Sequence, residues 1–277
     1  MIVLSHRGLD LERAEHLREN SLASFRWAMT RGFGVELDLQ LTADSELIVT
    51  HDLTSERWSQ GKTVRPWSAL ARADFSAFEG ECGALCTMPE ALALVSEFPS
   101  VTMAIHVKGQ NQSDVFIKAL AKALMPFHQF FSRLLVFDLK VAPAGLLRKA
   151  CPGIGLAPSV AHVFDVQRFQ SVAQGTLYSP LEILSHEGPY NWVWLDEWDR
   201  RAVDGKSKAL YEETTETFLS HGFNVALISP ELHKGEKHQD AENLQVLEKR
   251  WREILKLKVN AICTDYPARF SGLANAG

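Results

Sequence analysis

The chain has 277 residues, of which 46% are hydrophobic, and a formal net charge of −5. This composition suffices for one large core or two modest domains, and the mild negative charge argues against a nucleic-acid-binding surface, which needs clustered basic residues. No apolar stretch approaches the roughly 18 residues of a membrane span, and the first residues lack the features of a signal peptide. We therefore expect a cytoplasmic protein without a membrane span.

The cysteines predict reduced thiols rather than a disulfide framework. There are four of them, Cys82, Cys86, Cys151 and Cys263, and they are too few and too scattered for structural cross-links. Cys82 and Cys86 have a spacing that a metal site could use, but no second Cys or His pair accompanies them.

The first predicted element is a short buried strand over residues 2–5, which ends in the sequence His6-Arg7-Gly8. An imidazole and a guanidinium therefore follow the end of a strand, where glycine lets the backbone turn sharply or approach a ligand closely. Asn20 is a candidate N-cap for a helix over residues 21–31, which has an apolar stripe.

A strand over residues 35–41 carries the first candidate site. Apolar residues alternate there with Glu36, Asp38 and Gln40, the period-two pattern of a strand with two unlike faces. Glu36 and Asp38 point the same way, roughly 6.5 to 7 Å apart. Two carboxylates this close repel each other, and a hard divalent cation between them would relieve the repulsion. A polar face turned to solvent is the alternative reading of this stretch.

The remaining elements follow from short apolar runs and amphipathic segments. After a strand ending in His51-Asp52, periodicity disappears over residues 53–87, which predicts an inserted loop or small subdomain. The later predicted strands are 102–108, 134–139, 154–158, 192–197, 224–229 and 261–265, and the later predicted helices are 88–98, 113–124, 142–149, 207–221 and 241–257.

Short strands alternate with helices about eight times without a composition break, which favours an α/β fold, a single (β/α)8 barrel over residues 1–277 with a small insertion after the second strand. No Gly-x-Gly-x-x-Gly follows a strand, which weakens the dinucleotide-binding alternative. Barrel active sites lie at the carboxyl ends of the strands. The polar residues predicted at those ends are His6, Glu36, Asp38, His51, Lys108, Asp196, Glu197, Glu231 and Asp265.

These motifs together resemble the glycerophosphodiester phosphodiesterase family. The resemblance rests on His6-Arg7-Gly8, Glu19-Asn20-Ser21, Glu36-Leu37-Asp38, Thr42, His51-Asp52 and Thr264-Asp265-Tyr266-Pro267, and runs from the first strand to the last. It implies a metal-dependent hydrolase of small phosphodiesters, with residues 53–87 as an insertion over the barrel mouth. It also implies His6 and His51 as general acid and base, and a divalent cation, Mg²⁺ or Ca²⁺, on the carboxylates of the second strand.

Arg7 and Lys108 are expected to bind the non-bridging phosphate oxygens, because both carry positive charge toward the same strand ends. A rim salt bridge for Arg7 and a solvent-exposed strand end for Lys108 are the alternatives.

Two departures from the family pattern affect the predicted chemistry. The family usually has Glu-x-Lys on the third strand, whereas this chain has His106-Val107-Lys108. If His106 is a ligand beside Glu36 and Asp38, Mn²⁺ or Zn²⁺ becomes possible, because imidazole suits these ions better than hard cations. The seventh strand also differs, so Asp196, Glu231 and His233 could contact a polyol, sugar or amine headgroup.

The sequence therefore predicts an enzyme that hydrolyses glycerophosphodiester-like molecules with small polar headgroups. Two alternatives remain open at this point. One is a phospholipase D-like lyase that forms a cyclic phosphate, and the other is a non-catalytic protein that binds phosphate headgroups. The presence of both His6 and His51 favours an enzyme, because a binding protein needs no general acid.

Overall fold

The computed structural model describes residues 1–78, 85–185, 188–201, 203 and 208–276. Cys82, Ser207 and part of the 53–87 segment lie outside the described residues. Among the described residues, no helix combines the length and apolar character needed to cross a membrane. Cys86, Cys151 and Cys263 are buried free thiols.

The described strands, in chain order, are β1 Ile2–Ser5, β2 Gly34–Leu41, β3 Leu47–Val49, β4 Met103–His106, β5 Leu134–Phe137, β6 Gly155–Ala157, β7 Ser159–Val160, β8 Leu177–Tyr178, β9 Trp192–Leu195, β10 Asn224–Ile228 and β11 Ala261–Thr264. The described α-helices are α1 Leu22–Met29, α2 Met88–Glu97, α3 Asp114–Leu124, α4 Val141–Ala150, α5 Val163–Phe169, α6 Pro180–Leu184, α7 Leu210–Ser220, α8 Leu244–Ile254 and α9 Pro267–Ala276.

The sheet closes into a barrel of parallel strands. Pairing runs from β6 through β5, β4, β2, β1, β11, β10 and β9 to β7. β6 and β7 are separated only by Pro158, whose carbonyl accepts a hydrogen bond from the Trp194 amide at 3.0 Å, so the ring closes through this broken strand. β8 extends the sheet beside β7, and β3 pairs antiparallel with β2 outside the ring. The prediction of a (β/α)8 barrel is confirmed.

The barrel explains why β2 is buried on both faces. Val35, Leu37 and Leu39 pack in the hydrophobic layer between the sheet and the outer helices, whereas Glu36 and Asp38 point to the other face and are 2% and 1% exposed. The alternative of a solvated polar face on this strand is therefore wrong. A second apolar cluster, which includes Leu4, Phe137 and Trp194, fills the barrel interior.

One local prediction, the cap of the first helix, differs from the structure. Ser21, not Asn20, caps α1, because its hydroxyl accepts a hydrogen bond from the Ser24 amide. Asn20 instead has φ of 54° and donates from its side-chain amide to Asp38 at 3.1 Å. The asparagine that was expected to start a helix therefore fixes a carboxylate of β2.

The segment after β3 has a small hydrophobic cluster of its own. Trp58, Trp67 and Phe75 pack there with Ile48 of β3, and Trp67 stands edge-on to both Trp58 and Phe75. Its assignment as an insertion, with the bounds 53–87, stays a prediction.

Candidate active site

A cavity of about 400 Å³ lies at the carboxyl ends of the barrel strands. Parallel strands bring residues that are distant in sequence to this one face. The structure brings all seven predicted site residues to the cavity wall: His6, Arg7, Glu36, Asp38, His51, His106 and Lys108.

The acidic part of the cavity is formed by neighbouring strands. In the parallel register of β2 and β4, Asp38 lies beside His106, and the Nδ1 atom of His106 is 3.0 Å from Asp38 Oδ1. The same nitrogen is 4.0 Å from Glu36 Oε1. One ligand atom from each of these three residues lies within 4.8 Å of the other two. The cluster therefore has the dimensions of a site for one cation.

Positive side chains surround the Asp38 carboxylate. Lys108 Nζ lies 3.1 Å from Oδ1, and Arg7 Nε lies 3.2 Å from Oδ2. Burial alone would raise the pKa of Asp38, but Lys108, His106 and Arg7 outweigh burial and hold this pKa well below its usual range. Glu36 behaves oppositely, because burial and the neighbouring Asp38 charge raise its pKa. The pKa values of the two carboxylates are therefore shifted in opposite directions, and Asp38 is the one whose charged form is favoured.

The loop after β1 brings Arg7 to this cluster. Arg7 has φ of 53°, and its backbone N–H donates to Glu36 Oε2 at 3.2 Å. Gly8 follows with φ of 75°, and a Cβ atom there would lie 2.6 Å from Ser24 Oγ. Only glycine fits this close approach to α1 without displacement. Gly8 therefore allows the turn that aims Arg7 at the carboxylates.

His6 is held by the last strand of the barrel. Its Nδ1 lies 2.8 Å from Asp265 Oδ1. Burial works to lower the pKa of His6, but the Asp265 carboxylate offsets burial and the net effect raises this pKa. Glu231 in turn accepts a hydrogen bond from the Asp265 backbone N–H at 3.0 Å and another from the Thr264 hydroxyl. Asp265 therefore contacts His6 through its side chain and Glu231 through its backbone.

His51 follows β3 and has a different environment. Its Nδ1 is 4.0 Å from Asp52 Oδ1, beyond hydrogen-bond distance, and Asp52 instead accepts from Arg57 Nε at 2.7 Å. Burial, followed by the Lys108 charge, lowers the pKa of His51 to about 4. His51 is thus a neutral imidazole at neutral pH, whereas the pKa of His6 is shifted in the opposite direction.

Asp138 is a site residue that the sequence analysis missed. It follows β5 with φ of 64°, and its Oδ2 lies 3.3 Å from His106 Nε2. Burial lowers the pKa of His106, but Asp138 and Asp38 outweigh burial and raise it to about 9. The sequence signal is the position of Asp138 directly after β5, the strand next to the one that carries His106. Only the register of β4 and β5 shows that the two residues are neighbours.

The opposite wall of the cavity contains a second charged pair. The Nε2 atom of His233 is hydrogen-bonded to Asp196 Oδ1, and the imidazole stacks on Trp198 at 4.5 Å. Glu197, which sequence placed beside Asp196, is absent from the described cavity wall and accepts from Arg250 Nη2 at 2.9 Å. Glu231 is likewise absent from this wall as described. Of the residues suggested for headgroup contact, Asp196 and His233 therefore line the cavity.

The donor set of Glu36, Asp38 and His106 fits a divalent cation. Because metal–ligand bonds are about 2.0–2.6 Å long, two ligands of one ion typically lie about 3–4.5 Å apart. The 3.0 and 4.0 Å separations from His106 Nδ1 to Asp38 and Glu36 fall in this range. An ion bound there would share the Asp38 carboxylate with Lys108 and Arg7.

Fold and site together define a (β/α)8-barrel protein whose functional site lies at the carboxyl ends of its strands. Residues 6–140 match the model of the glycerophosphoryl diester phosphodiesterase family. Over these residues the chain is therefore similar to that family. The matched range contains all seven predicted site residues.

Two curated relatives are named glycerophosphodiester phosphodiesterase. The one from Caldanaerobacter subterraneus is 42% identical over 62 residues, covering 22% of this chain and 24% of the relative. The one from Bacillus altitudinis is 31% identical over 163 residues, covering 56% and 64%. The matches thus span less than two thirds of the length of these relatives.

Solved structures share the fold over nearly the whole chain. A putative glycerophosphoryl diester phosphodiesterase from Agrobacterium tumefaciens has a TM-score of 0.69 at 16% identity, covering 100% of this chain and 98% of that one. A phosphodiesterase from Oleispira antarctica, solved with the product sn-glycerol-3-phosphate, has a TM-score of 0.64 at 16% identity, covering 99% and 97%. At this identity the likeness concerns the fold.

Proposed function

We propose that this protein is a metal-dependent hydrolase of glycerophosphodiester-like molecules with small polar headgroups. The observation that carries the proposal is the convergence of two histidines with opposite pKa shifts, His6 and His51, on the cavity that holds the carboxylate cluster. The names of the family and of the relatives support the same reaction.

The two histidines divide the proton transfers between them. A phosphodiester is inert because its anionic oxygens repel nucleophiles and the leaving alkoxide is poor. His51, neutral because its pKa is lowered to about 4, accepts the proton of the attacking water as the new P–O bond forms. His6, whose pKa is raised, donates its proton to the leaving oxygen as the old P–O bond breaks. The acid and the base thus avoid the formation of a free hydroxide as nucleophile and a free alkoxide as leaving group.

The remaining residues neutralise and orient the phosphate. Arg7 and Lys108 line the cavity and supply positive charge to the non-bridging oxygens. Glu36, Asp38 and His106 would hold a divalent cation, which when bound neutralises phosphate charge and polarises phosphorus. In this proposal Arg7 and Lys108 also hold Asp38 charged and oriented between turnovers.

The test measures hydrolysis of glycerophosphocholine, glycerophosphoethanolamine and glycerophosphoinositol, followed by ³¹P NMR, with the wild type and the variants His6→Ala and His51→Ala. We expect each variant to lose about 10²–10⁴-fold in turnover, the usual contribution of a general acid or base. Affinity for sn-glycerol-3-phosphate, measured by calorimetry, should be retained. His128→Ala is the matched control, because His128 is exposed and outside the cavity wall as described.

Full activity in both histidine variants would overturn the proposal. A cyclic phosphate as the first product would replace hydrolysis by the lyase reaction. Binding of sn-glycerol-3-phosphate without turnover of any tested diester would favour the headgroup-binding alternative.

A further inference from the structure

The imidazole of His106 has acidic neighbours at both of its ring nitrogens. On one side its Nε2 lies 3.3 Å from Asp138 Oδ2, and on the other its Nδ1 faces Asp38 and Glu36. The ring also stacks on Phe137, with centroids 4.7 Å apart and planes inclined by 13°. Phe137 stacks in turn on Trp194 at 3.8 Å, so the ring plane of His106 is fixed by packing.

The Asp138 contact decides which nitrogen can bind a cation. A neutral imidazole has one N–H donor and one acceptor nitrogen, and the partner of the donor selects the tautomer. An ion bound at Nδ1 takes the place of a proton there, and with Nε2–H still donating to Asp138 the lone pair of Nδ1 then points toward Asp38 and Glu36. This is the carboxylate–histidine–metal arrangement, in which the outer carboxylate orients the ring and raises its basicity.

The charges around the cluster bear on which ion it prefers. Hard cations such as Ca²⁺ and Mg²⁺ are held by oxygen ligands, largely through charge. Here one of the three ligands is a neutral nitrogen, and Asp38 already faces Lys108 and Arg7. Both features lower the affinity for ions that are bound through negative charge alone. They lower the affinity for first-row transition ions less, because these ions also form strong bonds to imidazole nitrogen.

We propose that Asp138 is a positioning residue that presents His106 Nδ1 as the third ligand beside Glu36 and Asp38, and that the site selects Mn²⁺ or Zn²⁺ over Ca²⁺ and Mg²⁺. This inference rests on the cation site in the proposed function and adds the class of ion and the residue that determines it.

The experiment titrates the metal-free full-length protein with Mn²⁺, Zn²⁺, Ca²⁺ and Mg²⁺ by isothermal calorimetry. The absorption spectrum of the Co²⁺ form reports nitrogen ligation independently of turnover. We expect the wild type to bind Mn²⁺ or Zn²⁺ at least 10-fold more tightly than Ca²⁺ or Mg²⁺. Asp138→Ala should weaken the transition ions by about 10–100-fold, the usual effect of removing an outer carboxylate, and change the Co²⁺ spectrum.

Two further variants keep the test sharp. His106→Glu restores an all-carboxylate set and should move the preference toward Ca²⁺ and Mg²⁺. Asp114→Ala, at an exposed carboxylate in the first turn of α3, is the matched control and should change no affinity. Circular dichroism confirms that each variant is folded.

Three outcomes would overturn the inference. The wild type could bind Ca²⁺ and Mn²⁺ with equal affinity, it could bind no ion, or Asp138→Ala could leave the Mn²⁺ affinity and the Co²⁺ spectrum unchanged. Its failure can be told apart from that of the proposed function. Selective ion binding without hydrolysis refutes only the hydrolase. Hydrolysis by a protein that binds the four ions without selectivity refutes only this inference.

Discussion

Asp265→Asn removes the charge that faces His6 while keeping the size and shape of the side chain. The bond to replace is the 2.8 Å contact between His6 Nδ1 and Asp265 Oδ1. Hydrogen bonds to a charged group contribute about 1.5–3 kcal/mol, and one pKa unit corresponds to about 1.4 kcal/mol. Without the carboxylate, the lowering effect of burial on the pKa of His6 is no longer offset by Asp265, so this pKa should fall.

The sign of the effect on activity follows from the role proposed for His6. A general acid works while it is protonated, so the rate falls as pH rises through its pKa. In Asp265→Asn the alkaline limb of kcat/KM should therefore move to lower pH, while the acidic limb, set by His51, stays in place.

The assay is the pH profile of kcat/KM on a glycerophosphodiester, supported by an NMR titration of the His6 ring. Asp52→Asn is the control, because Asp52 lies at the same mouth but pairs with Arg57 and should leave the alkaline limb unchanged. A folded Asp265→Asn protein with an unshifted alkaline limb would refute the assignment of His6 as the acid that Asp265 controls.

Two further predictions concern stability. Arg250→Met leaves the buried Glu197 carboxylate without its guanidinium and should lower the free energy of unfolding, measured by urea titration, by about 3–5 kcal/mol. Arg252→Met, at an exposed arginine, is the control and should change this free energy by less than about 1 kcal/mol. Similar losses in the two variants would contradict the prediction. The pKa of His233, raised to about 9 by Asp196 against burial, implies stabilisation that is fully present below about pH 6.5 and is lost as pH rises through 9. Unfolding free energies at pH 6 and pH 10 should therefore differ by up to about 3 kcal/mol more in the wild type than in His233→Asn, and equal differences would refute this linkage.

Much of the barrel could be predicted because its central strands have strong patterns. The alternation around Glu36 and Asp38 predicted both the strand and the shared face of the two carboxylates. Less periodic segments were missed. The region after Pro158 contains the short helices α5 and α6 and strand β8, which have too few turns or residues for a recognisable period. The helix α9 was also missed, and the antiparallel pairing of β3 with β2 could not be read from two adjacent apolar runs.

The residues of the candidate site that belong to local sequence motifs could be predicted. The contacts that form only when the barrel strands pair could not. His6, Glu36 and His51 stand in recognisable local sequences, but the partners of these residues depend on strand register. Ser5 lies beside Thr264 in the pairing of β1 with β11, which makes His6 and Asp265 neighbours. The contact of Asp138 with His106 likewise requires that β4 and β5 pair in one particular register. No local pattern contains that information.

The bond between His6 and Asp265 joins residues 259 positions apart, across the seam where the first and last strands meet. During synthesis on the ribosome, the segment that carries His6, His51 and the carboxylates emerges long before Asp265 does. A nascent chain can therefore form the first half of the sheet before His6 has its Asp265 partner. Contacts of such long sequence separation form late because closing the loop between them costs conformational entropy. The contact between His6 and Asp265 and the completion of the barrel should consequently form in the same folding step.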